Sequence, residues 1–307
     1  MMGLGAIPSK AQEPGQDDVI RVRTDLVTVP IMVFDAMGRR VAGLKETDFL
    51  IRDDSKSRRP DHFSNGSDRV ALVFLLDASG SASNYLTKQR ETALAIFARF
   101  GPGSQIAVLR FSERAQTPVP FTGDIANARR GFDFPSTTER HTAIFDSVAT
   151  AIQLLNQRKA DPAERRIIIL TSDGLDTAST TRAATVINNA REDDITIYVI
   201  HFPLFAPSDG RLTVRPTAKG FRDLAEKTGG RYFMAGDIKS ALEPGAPYDL
   251  APVFKAIEDD LASQYLLGFY PDAAQSNTRQ HRIAVELRGK PRGYRLKILR
   301  DSYSLNR

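Results

Sequence analysis

The chain has 307 residues, 41% hydrophobic and 26% charged, without a low-complexity tract, which excludes bulk disorder and predicts about two globular domains. It has no cysteine, which excludes disulfides, thiolate metal centres and cysteine nucleophiles. Its net charge of +5 is spread along the chain, and the local cluster Lys56, Arg58 and Arg59 lacks interleaved aromatics, so no nucleic-acid partner is expected.

Residues 1–18 read as a loose or residual export segment. Met1 to Gln12 has an apolar, Ala- and Gly-containing start and an Ala11-Gln12 step like the end of a signal peptide, though no basic region precedes it. This predicts a secreted or periplasmic protein, with a cytoplasmic one as the alternative. No stretch approaches the roughly eighteen apolar residues of a membrane span.

Residues 19–67 read as one half of a β-sandwich. Ile20, Val22, Leu26, Val27, Val29, Ile31, Val33 and Phe34 partly alternate with polar positions, as strands do, and Pro30 predicts an edge or a break. Asp35-Ala36-Met37-Gly38 supplies a hairpin turn, and Phe49 to Arg52 a further strand ended by Asp53-Asp54-Ser55. So small a segment cannot close a core alone.

Over residues 68–240 strand-like runs alternate with amphipathic helical stretches, the signature of a parallel α/β sheet. Val70 to Leu76 is a continuous apolar run of the kind buried on both faces, and a helix is expected from Tyr85 to Phe100. Ile106 to Phe111 is the next strand. Ala115 to Pro120 reads as an exposed edge strand, because Pro118 and Pro120 cannot donate to a ladder. A helix over Ala143 to Asn156, a strand over Ile167 to Leu170, a helix near Thr181 to Arg191 and a strand over Ile195 to Phe202 follow. The helix around Phe221 to Lys227 ends at Gly229-Gly230, before a short strand from Arg231 to Met234.

Residues 241–263 form a linker and a helix carrying Val253, Ile257 and Leu261. Within 264–307, Gln264 to Phe269, Arg282 to Leu287 and Tyr294 to Leu299 alternate again, and this segment supplies the other half of the sandwich. The expected fold is therefore a doubly wound, mostly parallel α/β sheet with helices on both faces, inserted in a small β-sandwich formed by the N- and C-terminal segments.

Asp77-Ala78-Ser79-Gly80-Ser81 follows the buried strand that opens the α/β region, at the carboxyl end where open parallel sheets bind ligands. Thr142, just before a helix, and Asp173-Gly174, directly after a strand, fall at equivalent ends. A hard cation such as Mg²⁺ takes about six oxygen ligands and keeps some of its waters. Ser79 and Ser81, two apart in an extended turn with Gly80 between them, can aim hydroxyls at one point, while Asp77 and Asp173 bring negative charge. If the carboxylates act through water, the ion stays electron-poor and one position stays open for an outside carboxylate.

Taken together, Asp77-Ala78-Ser79-Gly80-Ser81, Thr142 and Asp173-Gly174, in that order, resemble the metal-ion-dependent adhesion site (MIDAS) of von Willebrand factor type A domains, over about Arg69 to Ala235. The resemblance implies a Rossmann-like sheet. It implies direct or near-direct contact of Ser79, Ser81 and Thr142 with a divalent ion, Mg²⁺ or else Mn²⁺ or Ca²⁺, and water-mediated contact of Asp77 and Asp173. The partner it implies is an acidic residue of a protein or peptide. Gly43-Leu44-Lys45-Glu46-Thr47-Asp48-Phe49 and Gln264-Tyr265-Leu266-Leu267-Gly268-Phe269-Tyr270-Pro271 further resemble flanks of a bacterial subgroup of exported proteins.

One departure stands out: small residues commonly precede this threonine in the family, whereas Arg140 and His141 precede it here. Either the loop takes another course or Arg140 and His141 add contacts for an acidic partner. Plainer readings stand beside the sharp ones. Asp77 or Ser79 would cap a helix, Asp173-Gly174 would form a turn, Asp176 a solvated turn, His141 an exposed polar residue, and Phe269 and Tyr270 sandwich core. The loop from Pro203 to Thr217 either shapes partner choice or is a surface insertion. A metal-dependent binding module, not an enzyme, is the expected function. The alternatives are a scaffold with a silent metal site and a metal-dependent hydrolase, the latter disfavoured by the lack of a Gly-x-Ser-x-Gly elbow and of a histidine placed to activate a serine.

Overall fold

A computed structural model describes residues 26–65, 69–78, 90, 93–98, 100–133, 141–158, 161, 164–236, 249–272, 280–289 and 293–304. The N-terminal part supplies β1 (Val27–Phe34), β2 (Phe49–Asp53), β3 (Lys56–Arg58) and β4 (His62–Asn65). The middle supplies β5 (Val70–Asp77), β6 (Gln105–Phe111), β7 (Ala115–Thr122), α1 (Ile125–Arg129), α2 (Ile144–Asn156) and β8 (Arg165–Ser172). It continues with α3 (Ala183–Glu192), β9 (Ile195–His201), β10 (Phe205–Ser208), β11 (Arg211–Val214), α4 (Phe221–Glu226), β12 (Tyr232–Met234) and α5 (Ala251–Ala262). The C-terminal part adds β13 (Gln264–Phe269), β14 (Gln280–Leu287), β15 (Arg295–Ile298) and β16 (Ser302–Ser304).

Every residue of β5 is buried, because the strand has neighbours on both edges and a core on each face. Leu72, Phe74 and Leu76 point into one core with Leu94, Phe97, Phe254 and Ile257. Val73 and Leu75 point into the other, with Ile144, Val148, Val186 and Leu224. This two-residue alternation between two apolar layers is why the strand reads as an unbroken apolar run. The sheet order is β12-β9-β8-β5-β6-β7, parallel except for β7, which forms an irregular antiparallel edge carrying Pro118 and Pro120. From β5 the chain winds through β6 to β7 at one edge, then returns to β8 on the other side. The winding direction thus reverses at β5, where open sheets of this kind place their ligand crevice, beyond the carboxyl ends of the strands.

The terminal segments form two further sheets, β15-β1-β13-β4 and β16-β14-β2-β3. Val29, Ile31 and Leu267 of the first share one core with Phe49, Ile51, Ile283 and Tyr303 of the second, so neither chain end closes a core without the other. Two expectations are corrected here. Pro30 lies inside a strand paired on both sides rather than at an edge or break: it opposes Leu266, the β15 ladder begins one residue on at Ile31, and its carbonyl accepts the Leu299 N–H at 3.0 Å. Tyr270 is 48% exposed at the end of β13, so only Phe269 of that pair is core.

The sandwich meets the α/β layer at the end of the sheet away from the crevice. α5 buries Phe254, Ile257 and Leu261 against the sheet and passes through Ser263 into β13. At the junction the buried Asp260 carboxylate faces Arg40 Nε at 2.7 Å and accepts hydrogen bonds from Tyr198 Oη at 2.7 Å and Gln264 Nε2 at 3.2 Å. Burial raises the Asp260 pKa and Arg40 opposes the shift. Thr28 and Arg300 reach Asp194, which precedes β9, so the contact lies on the amino-terminal ends of the strands.

Candidate metal centre

Asp77 ends β5 and is fully buried. Its Oδ2 accepts a hydrogen bond from Ser172 Oγ, the last residue of β8, at 2.7 Å. The same Ser172 Oγ accepts the Gly174 N–H at 3.1 Å, so one hydroxyl joins Asp77 to the turn that carries Asp173. Ala78 continues the strand path by donating its N–H to the Phe111 carbonyl at 2.7 Å. Ser79, Ser81 and Arg140 lie outside the described residues, as does half of the helix expected from Tyr85 to Phe100.

Asp173 is half-buried, with its Oδ1 accepting the Leu175 N–H at 2.9 Å. Burial raises its pKa, opposed by that hydrogen bond and by the Arg215 guanidinium. The turn needs Gly174 at φ +80°, and a Cβ there would stand 2.5 Å from Thr217 Cγ2. Behind the turn lies His201, the last residue of β9 and 1% exposed. Its Nε2 is 2.9 Å from the Asp173 carbonyl, which can only accept, so Nε2 carries the proton and Nδ1 receives the Tyr232 hydroxyl. Burial lowers the His201 pKa, in keeping with this neutral tautomer.

Thr142 is buried, 5% exposed. Its N–H donates to Thr177 Oγ1 at 2.9 Å, and its carbonyl accepts the N–H groups of Thr177 at 2.8 Å and Ala178 at 3.1 Å. The next N–H, of Ala143, reaches the Ser112 carbonyl beyond β6 at 2.7 Å. Thr142 is therefore tied to the loop after β8, while its neighbour is tied to the end of β6. His141 is exposed, as expected.

Asp176, expected as a solvated turn, instead caps α2 from outside: its Oδ2 accepts the Phe145 N–H at 3.1 Å and its Oδ1 the Ser179 N–H at 3.0 Å. Asp146 in the first turn of α2 returns the contact by accepting the N–H groups of Thr180 at 2.9 Å and Thr181 at 2.8 Å. Burial pushes the Asp146 carboxyl upward, and the Thr181 and Thr180 hydrogen bonds outweigh it, so the net shift is downward.

The structure thus gathers Asp77, Thr142 and Asp173 at one end of the sheet through Ser172 and the loop of residues 173–181. Ser172, His201, Tyr232, Thr177 and Asp146 escaped the sequence reading. Ser172 and His201 carried a signal, each being a polar residue that ends an apolar strand. A separate cluster, Asp53, Asp54 and His281, has ligand atoms within 4.8 Å of one another in the sandwich. There Asp53 already accepts the Tyr303 hydroxyl at 2.9 Å and faces Arg58 Nε at 3.1 Å, which marks it as a structural ion-pair cluster.

The sequence model of the von Willebrand factor type A domain matches residues 71–244, more than half of the chain. Human inter-alpha-trypsin inhibitor heavy chain H4 is 32% identical over 130 residues, which cover 39% of this chain and 14% of that protein. Among solved structures, proximal thread matrix protein 1 from the mussel byssus with a zinc-occupied MIDAS motif superposes with a TM-score of 0.50 at 17% identity, covering 68% of this chain and 50% of that one. BatB from Bacteroides thetaiotaomicron superposes with a TM-score of 0.46 at 18% identity, covering 64% of this chain and 97% of that one. The chain thus spans half or less of the human and mussel proteins it matches.

Proposed function

The chain belongs to the von Willebrand factor type A domain family, and from that premise we propose that it is a metal-ion-dependent binding module for an acidic group on a protein or peptide. In this reading Asp77, Ser79, Ser81, Thr142 and Asp173 surround a divalent cation, and one coordination position is left for the partner's carboxylate. The observation that carries it is the Ser172 hydroxyl bridge, which holds the buried Asp77 carboxylate against the turn of Asp173 at the reversal point of the sheet.

The donor set suits a cation. Burial raises the cost of ionising Asp173, and a bound cation offsets that cost directly. The side-chain donors are all oxygens, and both ring nitrogens of the neighbouring His201 are engaged with Asp173 and Tyr232, which favours a hard ion such as Mg²⁺ or Mn²⁺, with Ca²⁺ next, over a nitrogen- or sulfur-seeking one. When bound, the ion supplies Lewis-acid attraction for the partner's carboxylate. Asp77 and Asp173 hold the charge, and the hydroxyls shape the cavity.

Domains of this family generally act as protein-interaction modules, and His201, committed at both nitrogens, is not poised as a general base, which supports a binder over a hydrolase. Arg140 and His141 lie next to Thr142 in sequence and would add contacts for an acidic partner. No helix among the described residues is long and apolar enough to cross a membrane. Placement outside the cytoplasm belongs to the same proposal.

The test is thermal unfolding with Mg²⁺ or Mn²⁺. Free metal at about a hundred times its Kd adds about 2.7 kcal/mol to the folded state, so Tm rises, and Asp77→Ala or Ser79→Ala removes the rise. Absence of any shift at millimolar metal overturns the proposal.

A further inference from the structure

One element at the crevice is unused by the metal reading. After His201 the chain does not go straight to a helix. It forms the antiparallel hairpin β10–β11, with Phe205 opposite Val214 and Ser208 opposite Arg211, around an Asp209-Gly210 turn with both φ angles positive. Paired Asp-Gly at positive φ is the two-residue turn that matches strand twist, so this is a built hairpin rather than a wandering loop.

Its foot is bonded to both neighbours of Asp173. Phe202 N–H donates to the Ser172 carbonyl at 2.9 Å, and Ala218 N–H to the Gly174 carbonyl at 2.8 Å. Arg215 N–H closes the hairpin onto the Leu204 carbonyl at 2.7 Å, three residues before Ala218. The Arg215 guanidinium acts electrostatically on the Asp173 carboxyl.

Above the foot the ribbon is exposed. Pro207, Ser208, Arg211, Thr213, Val214 and Arg215 face solvent, and β10 and β11 pair with no other described strand. An isolated two-stranded ribbon is at best marginally stable, so a ribbon held out at a ligand-binding edge is a candidate contact surface. Residues 203–220 carry Arg211, Arg215 and Lys219 against Asp209, three cations to one anion.

We propose that the β10–β11 hairpin is the recognition arm of the metal face and that it selects an acidic protein segment, with Arg215 and Arg211 taking carboxylates that flank the one on the metal. The inference rests on the metal-binding reading. The occupant follows from charge complementarity: an open cation position asks for one carboxylate, and exposed guanidiniums on a hairpin whose backbone is bonded into the same edge ask for its neighbours, in a fork geometry suited to carboxylates. Cations around the crevice also speed encounter with an acidic partner.

The test measures binding of a fluorescein-labelled oligoglutamate peptide to the full chain by polarisation, with oligoglutamine as the neutral counterpart, in Mg²⁺ and after chelation. Mg²⁺ affinity is followed separately by the Tm shift. The expected result is Mg²⁺-dependent binding of oligoglutamate and not of oligoglutamine. Arg215→Ala weakens it about tenfold, equivalent to one charge-assisted hydrogen bond, while the Mg²⁺-induced Tm rise persists. Arg215→Lys recovers part of the loss, and Arg211→Glu weakens binding without touching the foot of the hairpin.

Peptide affinity unchanged in Arg215→Ala and Arg211→Glu, with Mg²⁺ still raising Tm, overturns the hairpin inference and leaves the metal reading standing. Equal binding of oligoglutamine, or no binding of oligoglutamate by the Mg²⁺-loaded chain, overturns the acidic class of partner. Loss of the Mg²⁺ effect on the unsubstituted chain overturns both.

Discussion

Ser172 Oγ donates to Asp77 Oδ2 across the β5–β8 boundary at 2.7 Å, and both residues are fully buried. One hydroxyl therefore couples the ends of two adjacent strands, and through the Gly174 N–H it sets the turn that carries Asp173.

Ser172→Ala removes one donor to the Asp77 carboxylate and the side-chain acceptor of the Gly174 N–H. Stability is expected to fall by about 1–3 kcal/mol, the usual cost of taking a hydrogen-bond partner from buried polar groups. Urea unfolding measures the loss, and a weaker Mg²⁺-induced Tm rise accompanies it. An unchanged midpoint contradicts the coupling role.

Gly174→Ala places a methyl group 2.5 Å from Thr217 Cγ2 and 2.9 Å from Phe221 Cε1, on a backbone at φ +80°. Positive φ alone costs a non-glycine residue about 1–3 kcal/mol, and the clash adds to it. Denaturant unfolding is expected to show a loss at or above that range. Gly210→Ala, at φ +74° with nothing within 4 Å of the new Cβ, is expected to cost less.

Asp146 has its carboxyl pKa held below the ordinary value of 3.8: burial alone raises it, and the hydrogen bonds from Thr181 and Thr180 outweigh that effect. A carboxylate lowered on folding contributes its full stability above the unfolded pKa and loses it as pH falls through the folded one. Asp146→Asn is therefore expected to lower stability by about 1 kcal/mol at neutral pH. The gap to the unsubstituted chain should close below about pH 4, read as Tm against pH.

Asp260→Ala strips the partner from Arg40 and from the Tyr198 hydroxyl where α5 enters β13. Removing one member of a buried ion pair costs about 3–5 kcal/mol because the other charge stays behind. Equilibrium unfolding is expected to show that loss. Since the network lies at the opposite end of the sheet from Asp77, the metal-induced Tm rise should survive in the fraction that folds.

Several features of this fold were legible in the order of residues because their causes are local. The apolar run of Val70 to Leu76 announces a strand covered on both faces, Pro118 and Pro120 announce an edge, and Gly229 announces the end of α4 at φ +91°. The resemblance of Asp77-Ala78-Ser79-Gly80-Ser81 to an adhesion site was equally local, and the match over residues 71–244 bears out the family. The shared sandwich followed from a simple shortage: neither chain end carries enough apolar residues to close a core.

Other features were decided only in three dimensions, since their partners lie far apart in sequence. Pro30 reads as a strand breaker, yet the β15 ladder starts at Ile31 and asks Pro30 for a carbonyl alone. Asp176 reads as a turn residue, and it becomes a cap because folding brings the bare amino end of α2 to it. His201 lies 28 residues from Asp173 and Tyr232 lies 31 from His201, so no local pattern announces the chain of hydrogen bonds that holds the turn. The sequence alone thus determined the fold class and the family. The tertiary structure decided how the residues at the strand ends are held, because a buried hydroxyl or imidazole is satisfied by whichever polar group packing brings within about 3 Å.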